Sequence, residues 1–240
     1  MSMDLGATRS EGQLHEFSQI HEGLVGARSP QTLYHADAGN HPLPSDPREI
    51  EAVLIAASRC CEDHPYLLRR YGARGVAYIR SDDGYLATLV DHPQPYVDNQ
   101  ISWLARLLAN RGMPRWLLET HLEILCVELS AAVPERAGHY ARLQDAAQLL
   151  RTERQACIAP TDFDQQAAAF ELASGAGLRN AGPLLVAAVC DEYGGLSEAV
   201  PSLVSWLGDD RRFSGRWCAA LAESLVRVRR LASERRGRPQ

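Results

Sequence analysis

The sequence contains no lysine: all 25 of its basic residues are arginine. That absence removes two classes of chemistry, because a Schiff-base enzyme needs a lysine amine and a P-loop needs its phosphate-binding lysine. No apolar run approaches the roughly 18 residues that a transmembrane helix requires. The start, MSMDLGATRSEGQLHEF, lacks the basic stretch and apolar block of a secretory signal, so a cytoplasmic protein is expected. No CxxC pair occurs. Cys60, Cys61, Cys126, Cys157, Cys190 and Cys218 are scattered mostly among apolar residues and read as reduced core thiols. There is no GxSxG elbow, and the glycine-rich ASGAGLRNAG does not follow a strand, so neither a serine nucleophile nor a phosphate cradle is indicated. The net charge of −5 argues against a general nucleic-acid binder, which needs a basic face for phosphates. Arginine-only usage with abundant alanine fits a GC-rich bacterial coding sequence.

Alternating Val/Ile/Thr runs bounded by turns are also missing, so no strand is expected. What the chain does have is helical periodicity, with enough apolar residues (45% of 240) to bury a core. The stretch SDPREIEAVLIAASRCC begins a helix: Asp46 as cap, Pro47 first, Glu49 closing a capping box, and Ile50, Val53, Leu54, Ala57 and Cys61 on one face. Val76, Ile79, Leu86, Leu89 and Val90 form the next stripe, in one helix with a weak point at Ser81–Gly84. A helix over 95–110 carries Val97, Ile101, Leu104 and Leu108; Gly112 caps it, and Pro114 opens a helix with Leu118, Leu122, Leu125 and Leu129, giving an antiparallel hairpin. Later helices are marked by Tyr140 to Leu150, by Thr161 as a cap, by Pro183 as an opening residue, and by the stripes Leu196–Leu207 and Cys218–Val228. The expected fold is all-α, a helical bundle or helical-repeat arrangement of about eight to ten helices in two similar multi-helix halves. Residues 1–44 read as a flexible or loosely docked arm with a short helix near 14–25, 45–132 as the first half, 133–138 as a linker, 139–231 as the second half, and 232–240 as a basic tail.

The four tryptophans support the two halves. Trp103 and Trp116 flank one break, Trp206 and Trp217 another, at separations of 103 and 101 residues. Each pair starts in Ser-Trp-Leu and ends in Arg-Trp, which reads as an internal duplication with indole wedges at equivalent helix corners. Trp116 and Trp217 would each be the third residue of the second arm.

Candidate ligands for a metal do not assemble. Glu119 and His121 are two apart and face different ways, whereas a di-iron bundle wants Glu and His three apart. Cys61 and His64 have suitable spacing but no further ligand nearby, and His15, His21, His35 and His41 sit in the arm. No metal site and no catalytic residue is assigned, and no cofactor can be named. Asp83 is the most informative single residue, because a carboxylate on an apolar stripe is costly unless paired. It reads either as a turn residue in SDDG or as a buried polar contact to a ligand or another helix.

The segments RRYGARGVAYIRSDDGYLATLV and YVDNQISWLARLLANRGMPRWLLETHLEIL resemble a helical module of bacterial sensory proteins that often sits beside a cobalamin-binding domain. Arg70, Tyr71, Gly72, Arg74, Gly75, Asp83, Gly112 and Pro114 carry the resemblance, while a histidine expected after the acidic residue is Leu86 here. The resemblance implies a sensory or regulatory setting. The expectation is therefore a non-catalytic signalling or protein-interaction protein with a protein partner or self-association. The alternative is a helical module binding a tetrapyrrole or another apolar small ligand between helices, lined by Asp83, Tyr78, Tyr85, Trp103 and His121.

Overall fold

Nine α-helices and no strand make up the regular structure of the computed structural model, which describes residues 31, 33, 35, 41–175 and 177–236. The short helix expected near residues 14–25, with His15 and His21, lies outside the described residues.

Helix α1 (Pro47–Asp63) starts as the sequence indicates: the Asp46 carboxylate accepts from the Arg48 backbone N–H at 2.8 Å and Pro47 takes the first position. The capping box is corrected. Glu49 is buried, and the Tyr140 hydroxyl donates to it at 2.5 Å alongside the Arg136 guanidinium. A carboxylate facing the core takes two strong donors there rather than returning to the cap.

Helix α2 (Pro65–Leu89) contains its break at Gly72, where φ is 63° and ψ −163°, and not at Ser81–Gly84, which stays helical. Glycine alone adopts that backbone without penalty. Gly84 serves a different purpose: a Cβ there would lie 2.7 Å from Leu43 Cδ2 and 3.2 Å from Leu33 Cδ1. The missing side chain lets those two leucines of the N-terminal region seat on α2, and Leu33 is fully buried.

Helices α3 (Gln94–Ala109) and α4 (Arg115–Ala132) form the expected hairpin. Gly112, at φ 84°, turns the corner; its N–H donates to Ala109 O at 2.9 Å and that of Met113 to Leu108 O at 3.0 Å, a Schellman closure. Pro114 is the cap of α4 rather than its first residue, which makes Trp116 the second. A single 3₁₀ turn (Pro134–Arg136) leads to α5 (Ala137–Cys157), followed by α6 (Pro160–Ser174), α7 (Ala181–Tyr193), α8 (Ala199–Leu207) and α9 (Gly215–Arg236). Thr161 does not cap α6, which opens at Pro160, and Pro183 is the third residue of α7. Residues 232–236 of the expected tail continue α9, with Ala232 buried.

Two large apolar clusters, with a small third of Ala109, Leu196 and Ala199, hold these helices. One gathers α1, the second part of α2, α3, α4 and the Tyr140–Leu150 face of α5. The other surrounds α7, buried from Ala181 to Asp191 except Pro183, and takes Tyr66, Leu67 and Leu117 from the first part of the chain. The hairpin arms are unequal: 16 and 18 residues in α3 and α4, 9 and 22 in α8 and α9. Trp217 is the third residue of α9, capped by Ser214 at 3.2 Å. It stacks on Phe213 and meets Phe170 edge-on. Trp206 packs edge-on to Tyr66 and Trp116 to His64. Trp103 breaks the pattern of equivalent wedges, being 62% exposed. Ile101, Leu104 and Ala105 point inwards, and position 103 falls on the opposite side of the helix.

Candidate functional site

Three of the five residues expected to line a ligand site meet at one cavity of about 410 Å³ between α2 and α3. Tyr78, Asp82 and Tyr85, spaced to share one face of α2, line one wall. Trp103, Leu104 and Leu107 on α3, followed by Arg111 at the corner, line the other. The Tyr85 hydroxyl donates to Gln100 Oε1 at 3.3 Å and ties the two walls. His41 closes one end; its Nε2 lies 3.1 Å from Ser81 Oγ and its ring 5.4 Å from that of Tyr85. Burial pushes the Asp82 carboxyl up to about 7, helped by the negative charge of Asp83 and opposed by His121 and Arg111. The cavity is thus aromatic and aliphatic along its walls, with a carboxyl poised near neutrality and a guanidinium at one end.

Asp83 and His121, the other two, do not line this cavity. Asp83 is 1% exposed and His121 5%, and His121 Nε2 lies 2.5 Å from Asp83 Oδ1. Asp83 is therefore a mid-helix contact from α2 to α4, not a turn residue. Burial alone would strip the His121 proton, but the Asp83 carboxylate outweighs it and holds the ring charged well above its ordinary range. The neighbouring Cys60 thiol adds to this effect, yet Nδ1 makes no full hydrogen bond, and Asp83 Oδ2 is unsatisfied as well. His64, beside this pair, is driven the other way: burial lowers it to about 4, with the His121 charge contributing. It is neutral and faces Thr120 Oγ1 at 3.3 Å.

Arg70, Tyr71 and Gly112, three of the other residues carrying the resemblance, meet at the α3–α4 corner. Tyr66 donates to the Gly112 carbonyl, Tyr71 to that of Arg111 at 2.8 Å, and Arg70 to Tyr66 Oη and to Ser202 O at 2.9 Å. A Cβ on Gly112 would collide with the Arg70 guanidinium, so both its φ and its space require glycine. Tyr66, which completes this lock, carries no sequence signal beyond its aromaticity.

The remaining acids of α4 turn to arginines rather than to each other. Glu119 is buried and accepts from Arg151 at 2.9 Å and from Arg154 at 2.8 Å. Glu123 pairs with Arg151 and Glu128 with Arg59. Among the described residues, no three of His, Cys, Asp and Glu come together as a metal-binding group. No helix of the described residues is long and apolar enough to cross a membrane. A larger cleft, of about 640 Å³, lies elsewhere and includes Cys157 and Cys190; their separation in sequence matches no motif. Compared with known proteins, the chain matches no family model, no curated protein and no solved structure.

Proposed function

We propose that the protein is a non-catalytic sensory or regulatory module whose α2–α3 cavity binds a small, flat, largely apolar ligand. The observation that carries this reading is the convergence of Tyr78, Tyr85 and Trp103 with the leucines of α3 on one cavity. Aromatic faces around a concave apolar space with few polar groups are the usual features of a small-molecule site. Asp82 and Arg111 supply those polar groups, and a ligand bearing a basic nitrogen or a carboxylate would be oriented by one or the other. The cavity is smaller than a tetrapyrrole needs for full burial, so such a ring would leave an edge in solvent beside Trp103. His121 is sealed against Asp83 and does not reach the cavity; His41 lines it, and the His35 ring packs 4.3 Å from the Tyr78 ring on its wall. The sensory setting rests on the resemblance of residues 69–125 to the bacterial module. The exposed Trp103 at the rim would carry the bound state to a protein partner or a second copy.

Titration of the full chain with haem, with aquocobalamin and with the dye ANS tests the reading, followed by tryptophan emission and visible absorption. Saturable binding of at least one probe, weakened in Trp103→Ala and Tyr85→Ala, is expected. If no probe saturates and the emission of Trp103 stays unchanged, the reading fails.

A further inference from the structure

The larger cleft lies among the ends of α5, α7 and α9, away from the ligand cavity. Cys157, the last residue of α5, is half-buried and opens onto it; Cys190 of α7 lies beneath at 2% exposure. Both are free thiols. Arg106, Arg115, Arg235 and Arg236 line the same cleft. Arg115 is committed to Asp191 at 2.7 Å and to Glu153, while Arg235 holds the Ala156 carbonyl at 3.3 Å, one residue before Cys157.

The two thiols act on each other. Cys190, as hydrogen-bond partner, pulls the Cys157 thiol below its ordinary range; burial and Asp191 oppose this, and Arg115 and Arg235 assist. Cys190 is held far up by the same contact and by burial. An accessible sulfur that ionises readily, over a buried one that keeps its proton, is the division of labour between an attacking and a resolving cysteine.

We propose that Cys157 and Cys190 form a peroxide-responsive dithiol at the arginine-lined cleft. The Cys157 thiolate attacks one oxygen of a hydroperoxide. The O–O bond breaks, Cys157 becomes a sulfenic acid, and the other oxygen leaves as hydroxide or alkoxide. The Cys190 sulfur then attacks Cys157 Sγ and displaces hydroxide, which takes the Cys190 proton and leaves as water. Two thiols have lost two electrons, the peroxide has gained them, and a disulfide ties the end of α5 to α7. The cleft arginines stabilise the thiolate before attack and the departing anion during it.

The test uses the reduced full chain and one equivalent of hydrogen peroxide, followed by alkylation and a tryptic map without reductant. Cleavage after Arg154, Arg179 and Arg211 places the two cysteines in separate peptides, 155–179 and 180–211. A cross-link between these two peptides is expected as the main product. It should form about tenfold or more faster than oxidation of Cys218, the half-buried thiol on α9 that serves as internal reference. In Cys190→Ser the reaction should stop at a Cys157 sulfenic acid that dimedone traps. In Cys157→Ser, Cys190 should stay reduced. Oxidation of Cys157 no faster than Cys218, or a cross-link that joins other peptides, overturns the proposal. The wild-type map decides the matter even if the Cys190 variant fails to fold.

Discussion

The Asp83–His121 pair gives the sharpest test of how this fold is held. Replacing Asp83 by Ala removes the hydrogen-bond partner of Nε2 on a charged ring that is 5% exposed. Breaking one side of a buried ion pair costs about 3–5 kcal/mol. At roughly 2–4 °C per kcal/mol for a chain of this size, the unfolding midpoint should fall by about 6–20 °C. His121→Leu should cost a similar amount by stranding the carboxylate. The double variant is more informative. Asp83 Oδ2 and His121 Nδ1 are both unsatisfied, so the native pair is only partly repaid for its desolvation. Asp83→Ala/His121→Leu should therefore cost well below the sum of the single losses, with a coupling of roughly 2–3 kcal/mol. Urea unfolding of the four proteins at one pH, with circular dichroism to establish helicity, measures this. A loss below about 1 kcal/mol in either single variant, or simple additivity, would refute the buried-pair argument.

Other outcomes follow from groups described above. Asp82, raised from 3.8 to about 7, binds its proton more tightly folded than unfolded; that contribution is full below 3.8 and is lost as pH rises through about 7. Asp82→Asn should therefore gain stability relative to wild type at pH 8 and show no such gain at pH 4, as read by urea midpoints. His64, lowered from 6.5 to about 4, works in the opposite sense: its contribution is present above 6.5 and lost as pH falls towards 4. His64→Gln should flatten the acid side of the stability curve; an unchanged acid limb counts against the buried neutral ring. At Gly182 a Cβ would lie 2.3 Å from the Ala167 carbonyl oxygen, a backbone atom that cannot swing aside. Gly182→Ala should push α6 from α7 and cost about 1–3 kcal/mol, whereas Gly138→Ala, with open space around it, should unfold like wild type.

Helix positions were legible because a single amphipathic period runs through most elements. Ile50, Val53 and Leu54 point inwards, as do Leu118, Leu122, Leu125 and Leu129, and the Gly112 corner is where its residue type implies. Boundaries and partners were harder. Whether Glu49 caps its own helix or accepts from Tyr140 depends on a residue 91 positions away, which local grammar cannot express. The Ser-Trp-Leu triplet groups Trp103 with the other indoles, but its exposure is decided by its phase on α3 relative to Ile101 and Leu104. For Asp83 the cost of an unpaired carboxylate on an apolar stripe pointed to a partner, and His121 supplies it from α4. Asp82, its neighbour, gave no such signal, since its role at the cavity comes from the approach of α3. Cys157 and Cys190 share a cleft only because α5 and α7 meet, and neither has a local signature.

The discontinuity at Gly72 divides α2 into parts with different anchorage. Before it, Tyr66 and Arg70 are fastened to the α3–α4 corner and to Ser202 of α8. After it come Tyr78, Asp82 and Tyr85, which face the cavity. A Cβ at Gly72 would meet nothing within 4 Å, so the joint is uncrowded and its geometry is set by backbone torsions alone. The helix therefore has a joint: if a ligand fills the cavity as proposed, a tilt of the long arm would load the short arm and reach α8 through Tyr66 and Arg70.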